Sequence, residues 1–132
     1  MDKFIVDSSI WIDFFKGRLP DAVAAGLAAG LKNDQAVVTD IIVHELLVGA
    51  GSKKHYQELK NLFSALPLIR IEVHALEDFN LFGWNLARKG LLGKYTDLTI
   101  AYLSHLHHYP LLSLDGYFQR LGERGIIQVI RF

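Results

Sequence analysis

Short apolar segments alternate with helix-forming segments from one end of the chain to the other, and this alternation constrains the fold most. The apolar segments read as continuous runs, which is typical of strands buried on both faces of a parallel sheet. The pattern predicts a single α/β domain over residues 1–132, with a parallel sheet of about five strands and helices on both faces. The predicted strands cover residues 3–6, 36–38, 68–71, 111–113 and 126–130.

Helix signals fill the segments between the predicted strands. Ser9, Asp40, Ser52 and Thr96 each precede an apolar, helix-forming stretch and are predicted to start or cap a helix. Gly90 is a predicted helix stop. The predicted helices cover residues 9–16, 22–32, 40–49, 52–66, 74–89, 96–107 and 117–121.

The composition excludes several classes of protein. With 51% hydrophobic residues the chain has enough material for a core, so it is not expected to be disordered. The absence of cysteine excludes disulfide frameworks, thiolate zinc sites and cysteine nucleophiles. The net charge is zero, from 14 basic and 14 acidic residues, so nucleic-acid binding would have to rely on local basic patches.

A run of 17 residues between Asp97 and Asp115 lacks Asp, Glu, Lys and Arg. It contains three histidines and a proline, and it is shorter than the roughly 20 apolar residues that a membrane-spanning helix needs. We interpret it as a buried helix followed by a buried strand. Asp2 and Asp7 bracket the first apolar run, so no signal peptide is expected. We expect a soluble, cytoplasmic protein that does not bind membranes.

Four acidic residues fall at or near the carboxyl ends of predicted strands, where parallel α/β proteins bind ligands. Asp7 directly follows the first strand, and Asp115 comes two residues after the fourth. Asp97 lies in the first turn of a predicted helix, behind Thr96. Glu45 stands among apolar neighbours in the second turn of another helix. This position is informative because an unpaired Glu is rarely buried.

Convergence of these four carboxylates would produce strong repulsion. Two carboxylates about 4 Å apart repel by roughly 4 kcal/mol at an effective dielectric constant near 20. Such a cluster takes up protons, meets Lys or Arg, or binds a cation. Lys94 is the only Lys or Arg within three positions of any of the four. Oxygen ligands without sulfur favour Mg²⁺ or Mn²⁺. Taken singly, Asp7, Asp97 and Asp115 are equally well explained as helix-capping or turn residues.

Four segments resemble the motifs of PIN-domain nucleases, especially the VapC toxins of bacterial toxin–antitoxin pairs. The sequence IVDSSIWID at 5–13 resembles the first strand and turn of that family. The sequence ELLVG at 45–49 is similar to its second acidic motif, and TDLTIA at 96–101 is similar to its third. The fourth motif resembles SLD at 113–115, followed by Phe118. The order and spacing match over essentially the whole chain.

The resemblance implies that the four acids line one pocket and act together. The implied catalytic residues are Asp7, Glu45, Asp97 and Asp115, with Ser9 and Ser113 as supporting polar residues. Asp7, Asp97 and Asp115 would bind Mg²⁺ or Mn²⁺, directly or through water. Glu45 would either ligate the ion or orient the attacking water. Many relatives carry a further acid where this chain has Tyr117, which leaves the number of metal ions open.

The resemblance also implies a substrate and partners. The family hydrolyses RNA, often transfer or ribosomal RNA at a single-stranded loop, forms homodimers and pairs with a VapB-type antitoxin. Trp11, Phe14, Phe15 and Trp84 are predicted core residues, some of which could line an apolar groove for an antitoxin helix. Candidate phosphate contacts, each alone more typical of a solvated surface, are Lys16, Arg18, Lys53, Lys54 and Lys94.

Other interpretations of the acids and histidines stay open. A receiver-like phosphotransfer domain also gathers acids at strand ends, but it needs a late lysine, and no lysine follows Lys94. A catalytically silent PIN-like interaction module is the other alternative, although retention of the four acids speaks against it. His105, His107 and His108 do not predict a zinc site, because residues two apart point to different faces of a helix.

Overall fold

A parallel sheet forms the centre of the computed structural model, which describes residues 2–132. The strand order is β3-β2-β1-β4, and Ile5 lies opposite Leu111 while Phe4 lies opposite Ala36. The prediction of a parallel α/β fold is confirmed. Within the described residues the strands are β1 (Phe4–Val6), β2 (Ala36–Thr39), β3 (Leu68–Ile69) and β4 (Leu111–Leu112).

The strands are connected by α-helices that begin within two residues of their predicted starts. A short 3₁₀ turn at Val73–Ala75 precedes the fifth of them. In chain order, the helices within residues 2–132 are α1 (Ser8–Phe15), α2 (Asp21–Lys32), α3 (Asp40–Val48), α4 (Lys53–Ser64), α5 (Leu76–Arg88), α6 (Tyr95–His107) and α7 (Gly116–Glu123).

Both faces of the sheet are covered at β1, β2 and β4, whereas Leu68 of the edge strand β3 is half-exposed. Every residue of β1 and β2 is buried, and successive side chains of a strand point to opposite faces. Packing must therefore come from both sides, as the continuous apolar runs predict. Helix α3 contacts both α1 and α4, and α5 contacts α6.

The run without charged residues belongs to the core. Residues 98–104 of α6 are all buried, and so are both residues of β4. The hydroxyl of the fully buried Tyr102 donates a hydrogen bond to Oδ2 of Asp78 at 2.7 Å, which satisfies its one polar group. None of the helices within residues 2–132 has the length and apolar character needed to cross a membrane.

The predicted fifth strand over 126–130 is wrong. Among residues 2–132 this segment makes a single parallel bridge, between Leu111 and Val129. Two backbone hydrogen bonds hold it there: the Leu111 N–H donates to the Gln128 carbonyl at 2.8 Å, and the Ile130 N–H donates to the Leu111 carbonyl at 2.9 Å. Because β4 is only two residues long, it offers a neighbour too few backbone groups for a longer ladder.

Two predicted helix caps next to strand ends are displaced by one or two residues. Helix α1 is capped by Asp7, whose side chain accepts from the Ser8 N–H, and not by Ser9. Helix α3 is capped by Thr39 and not by Asp40. In both places the residue at the strand end supplies the side-chain oxygen that the first free N–H groups need, so the helix begins at once.

Candidate active site

The strand order places a crevice at the carboxyl ends of β1 and β4. The chain runs from β1 to β2 to β3 on one side and then adds β4 on the other side of β1. In open parallel sheets, such a reversal of strand order creates a crevice in which ligands bind. Asp7 follows β1 and Ser113 follows β4, so these two residues lie side by side at this crevice.

Asp7 is the most buried of the four acids and accepts the most hydrogen bonds. Its Oδ1 accepts from the Ser8 N–H at 2.8 Å. Its Oδ2 accepts from the hydroxyls of Ser9 at 3.0 Å and Ser113 at 2.9 Å. The side chain is only 5% exposed, and burial raises the pKa of its carboxyl despite these three hydrogen bonds, with a smaller contribution from the charge of Asp115.

Asp115 is joined to Asp7 through one serine hydroxyl. Its backbone N–H donates to Oγ of Ser113 at 3.1 Å, the same oxygen that donates to Asp7. Its Oδ1 accepts from the Tyr117 N–H at 2.8 Å, which caps α7. The Gln119 side chain donates to the Ser113 carbonyl at 2.8 Å and so fixes the end of β4.

Asp97 is the third residue of α6, which is preceded by Lys94 at the cap position rather than by the predicted cap Thr96. Its carboxyl is half-buried. Burial raises the pKa of this carboxyl most, and the charges of Asp115 and Asp7 raise it further. The positive charge of Lys94, three residues earlier in the chain, opposes these effects because it lowers the pKa of Asp97.

Glu45 is exposed, so the expectation of a buried carboxylate on an apolar helix face is wrong. The apolar side of α3 is formed by residues such as Ile42 and Leu46, while Glu45 turns away from that side. Partial loss of hydration raises the pKa of Glu45, and the charges of Asp7 and Asp97 raise it further. Glu45 therefore lies within electrostatic reach of both aspartates.

The four acids thus form one electrostatic cluster, which spacing alone could not establish. The charge of Asp115 raises the pKa values of Asp7 and Asp97. The charges of Asp7 and Asp97 raise the pKa of Glu45, and the charge of Asp7 also raises that of Asp97. Three of the acids stand at helix N-termini, where the helix dipole favours negative charge. The pKa values of Asp7, Glu45 and Asp97 are nevertheless raised, so burial and repulsion between the carboxylates outweigh the stabilisation by the helix dipoles.

Comparison with known proteins agrees with this geometry. The family model of the PIN domain matches residues 4–124 of the chain. The chain belongs to the PIN domain family. This confirms the family that the four motifs indicate.

Individual proteins resemble the chain in sequence or in fold. The chain is 28% identical over 126 residues to Ribonuclease VapC1 of Methanocaldococcus jannaschii, covering 94% of this chain and 85% of that protein. Its fold matches DNA-bound VapBC from Salmonella typhimurium with a TM-score of 0.76 at 19% identity, over 98% of both chains. VapBC-1 from nontypeable Haemophilus influenzae matches with a TM-score of 0.75 at 23% identity, over 96% of both chains.

The donor set of this PIN domain suits a hard divalent cation. All four acids offer only oxygen, and no cysteine is present in the chain. Within residues 2–132, however, no three Asp, Glu or His side chains stand close enough together to hold one ion directly. That arrangement fits Mg²⁺, which keeps several waters and is commonly bound through one or two carboxylates.

Tyr117, the position at which many PIN relatives carry a further acid, has a structural task here. Its hydroxyl donates to the Leu91 carbonyl at 2.8 Å, and its ring packs on Gly93, where an added Cβ would lie 2.5 Å from the ring. Tyr117 thereby ties the start of α7 to the loop that leads into α6 and Asp97. Sequence reasoning missed this contact, although a glycine near the start of α6 and an aromatic residue after Asp115 were visible.

The predicted phosphate contacts divide into two groups. The charge of Lys94 lowers the pKa of Asp97, and Lys16 lines a cavity together with Glu45. Their side chains are exposed. The remaining three are exposed too and do not line that cavity, and they are Arg18, Lys53 and Lys54. Among the described residues, none of the five makes an ion pair with any of the four acids.

The three neighbouring histidines have separate surroundings. The His105 ring contacts the Ile126 carbonyl at 3.2 Å, and His107 stacks on Tyr109 with ring centroids 5.3 Å apart. His108 ends α6 in the left-handed backbone region at φ 55°. They do not converge, as the helical spacing predicts.

The raised pKa values predict how metal-free stability depends on pH. The folded protein holds protons on Asp7, Glu45 and Asp97 more tightly than the unfolded chain does, where the ordinary pKa values are 3.8 for Asp and 4.5 for Glu. Above those values the folded state binds more protons, so stability falls as the pH rises through this window. In EDTA, the free energy of unfolding by urea should fall as the pH is raised from these ordinary pKa values toward neutrality.

The variant Asp7→Asn isolates the contribution of the buried carboxyl. It keeps the shape and an oxygen that can accept from Ser8, and the amide nitrogen in place of Oδ2 can donate to the Ser9 and Ser113 hydroxyls, so the fold should be retained. Its stability should fall less steeply than that of the wild type as the pH rises above 3.8. Asp21→Asn, at an exposed first-turn position of α2, is the control and should leave the slope unchanged. A slope that Asp7→Asn does not reduce would contradict the assignment.

Proposed function

We propose that this PIN domain is a metal-dependent endoribonuclease that acts as the toxin of a toxin–antitoxin pair. The observation that carries the proposal is the Asp7 carboxylate, held by three hydrogen bonds at the β1–β4 crevice within electrostatic reach of Glu45, Asp97 and Asp115. Two comparisons support it: the similarity to a protein named Ribonuclease VapC1, and the fold shared with VapBC proteins. PIN family membership speaks against the receiver-like alternative.

The residues assigned to bind Mg²⁺ or Mn²⁺ are Asp7, Asp97 and Asp115, directly or through water. When bound, such an ion lowers the pKa of a water and draws charge from the phosphoryl oxygens of an RNA phosphodiester. Ser9 and Ser113 orient the Asp7 carboxylate, because both hydroxyls donate to its Oδ2. Residues that orient metal ligands in this way contribute strongly to metal affinity.

Glu45 is assigned the role of orienting the water that attacks the phosphodiester. It is the cluster member on the exposed side of α3, so solvent reaches it. Its raised pKa brings it closer to the range in which a carboxylate accepts a proton efficiently at neutral pH. Direct ligation of the ion by Glu45 is the alternative role.

The substrate is proposed to be RNA, with transfer or ribosomal RNA as the expected targets. A phosphodiester approaching four acids needs nearby cations, and Lys16 and Lys94 stand beside Glu45 and Asp97. Further phosphates of the chain would meet the exposed side chains of Arg18, Lys53 and Lys54.

A VapB-type antitoxin and a second copy of the chain are the proposed partners, in the cytoplasm. Large apolar side chains remain exposed on several elements, including Val73 at 84%, Val48 at 71% and Trp84 at 57%. Exposed apolar side chains contribute to protein interfaces where they adjoin one another to form a patch. A basic antitoxin side chain would neutralise the acid cluster, and arginine suits this because it stays charged and binds carboxylates through two hydrogen bonds.

Replacement of Asp7 tests the nuclease. Purified Asp7→Asn should cleave RNA about 100-fold more slowly or worse in Mg²⁺ or Mn²⁺, because a metal ligand loses its charge, and Ser113→Ala should lose about 10–100-fold. Cleavage of labelled RNA measures both, and induction in cells should arrest growth only with active protein. Asp21→Asn should cleave like the wild type. Full activity of Asp7→Asn, or of the wild type in excess EDTA, would point to a silent PIN-like module and a contaminating nuclease.

Titration with the antitoxin tests direct competition. The C-terminal segment of the antitoxin should inhibit cleavage, and one Arg→Ala or Lys→Ala change in it should weaken inhibition about tenfold or more, as loss of a charge-assisted, bidentate contact does. The peptide should also weaken Mn²⁺ binding. If every such change leaves inhibition intact, the antitoxin acts by covering the RNA path instead.

A further inference from the structure

A cavity of about 350 Å³ opens between α1, α3 and α4, beside the acid cluster. Its floor is apolar, because Leu46 and Leu59 are both buried there. Its volume lies in the range of about 300–1,000 Å³ that small-molecule sites occupy. The other lining residues that matter below are Phe15, Lys16, Glu45 and His55.

One wall of the cavity is a fixed aromatic face. The Phe15 ring stacks on the fully buried Trp11, with centroids 5.9 Å apart and planes 19° from parallel. The His55 ring meets Phe15 edge-on, with centroids 6.5 Å apart. Phe15 nevertheless stays 40% exposed. The Phe15 ring is therefore held in place by Trp11 but remains open to solvent. It offers a surface on which a flat ligand can stack.

The rim carries unpaired polar groups of different kinds. Lys16 offers a cation, Glu45 an acceptor, and His55 a ring that both donates and accepts. Among residues 2–132 none of these three side-chain groups has a hydrogen-bond or ion-pair partner. Glu45 belongs to the acid cluster as well, so the cavity and the cluster share this residue.

We propose that this cavity binds one unpaired base of the RNA, next to the phosphodiester that is cut. The base stacks on Phe15, its edge pairs with His55, and Lys16 contacts the adjoining phosphate. Recognition of single-stranded RNA uses these elements, namely aromatic stacking and hydrogen bonds to the base edge. This inference rests on the proposed function, and it adds a site that selects which RNA is cut.

A peptide side chain is the competing occupant, and the surroundings favour a base. A base can stack on Phe15 and at the same time form hydrogen bonds with His55. An apolar side chain would contact only the apolar floor of Leu46 and Leu59. A second cavity of about 240 Å³ shares Phe15, His55 and Leu59 and extends the same surface along α4 toward Leu62. A single RNA strand leaving the acid cluster therefore meets a continuous surface.

Mapping of cut sites in a randomised single-stranded RNA pool tests the base site. The wild type should prefer particular bases at one position beside the cut, and Phe15→Leu and His55→Ala should each flatten that preference about fivefold or more, normalised to total cleavage. Phe15→Leu keeps an apolar contact with Trp11, so the fold should survive. Tyr56→Ala is the matched control, since Tyr56 neighbours His55 on α4 but does not line the cavity. It should keep the wild-type preference.

A binding measurement without catalysis makes the outcome independent of the nuclease. In EDTA, the ring signals of His55 in NMR spectra should shift on titration with at least one of AMP, GMP, CMP and UMP, and not with ribose 5-phosphate. The ring of His107, stacked on Tyr109, should not respond.

The outcomes separate the two proposals. Cleavage with a preference that neither variant alters, or His55 signals that respond equally to ribose 5-phosphate, overturns the base site and leaves the nuclease standing. Absence of metal-dependent cleavage by the wild type overturns the proposed function and the base site with it. If Phe15→Leu and His55→Ala weaken antitoxin binding while base preference is unchanged, the cavity is a peptide site.

Discussion

The hydrogen bond from the Ser113 hydroxyl to Oδ2 of Asp7 joins residues 106 positions apart, and the candidate active site depends on it. It exists because β4 pairs directly with β1, so that the two residues leaving these strands meet at the same edge. Ser113 also accepts from the Asp115 N–H. One side chain therefore sets the positions of two acids, and α6 and α3 bring Asp97 and Glu45 toward them.

Bringing these carboxylates together opposes folding. Burial and mutual repulsion raise the pKa values of Asp7, Glu45 and Asp97, so each is less easily ionised in the folded protein than in the unfolded chain. The fully buried core around Trp11, Tyr102 and other large side chains supplies the stability that offsets this cost. A cluster of charges that lowers the stability of the fold is typical of a functional site, where residues are placed for activity and not for stability.

Much of the fold follows from local patterns in the sequence. Continuous apolar runs predict buried parallel strands, and helices appear where capping and periodicity place them. The acids at strand ends could be selected as candidates because parallel strands all present their carboxyl ends at one edge. Their convergence could not be derived this way, since it depends on which strands are neighbours. That information came from the resemblance of four motifs.

The errors also have physical reasons. Glu45 looked buried because its sequence neighbours are apolar, but helical position decides which side chain faces the core. The segment over 126–130 looked like a strand, but β4 is too short to pair with it over more than one bridge. Tyr117 looked like a simple loss of an acid, whereas its hydroxyl and ring hold the loop before α6. The Glu45 error concerns helical position, whereas the 126–130 segment and Tyr117 depend on tertiary contacts that composition and periodicity do not encode.

The most direct measurement of the central claim is thermal unfolding at pH 7 as Mg²⁺ or Mn²⁺ is added to metal-free protein. A converged acid cluster predicts a melting temperature that rises with the logarithm of metal concentration above Kd, with a stabilisation of about 2.7 kcal/mol at 100 times Kd. Asp7→Asn should lose most of this response, and Asp21→Asn should keep it. A melting temperature indifferent to millimolar concentrations of both metals would contradict the account.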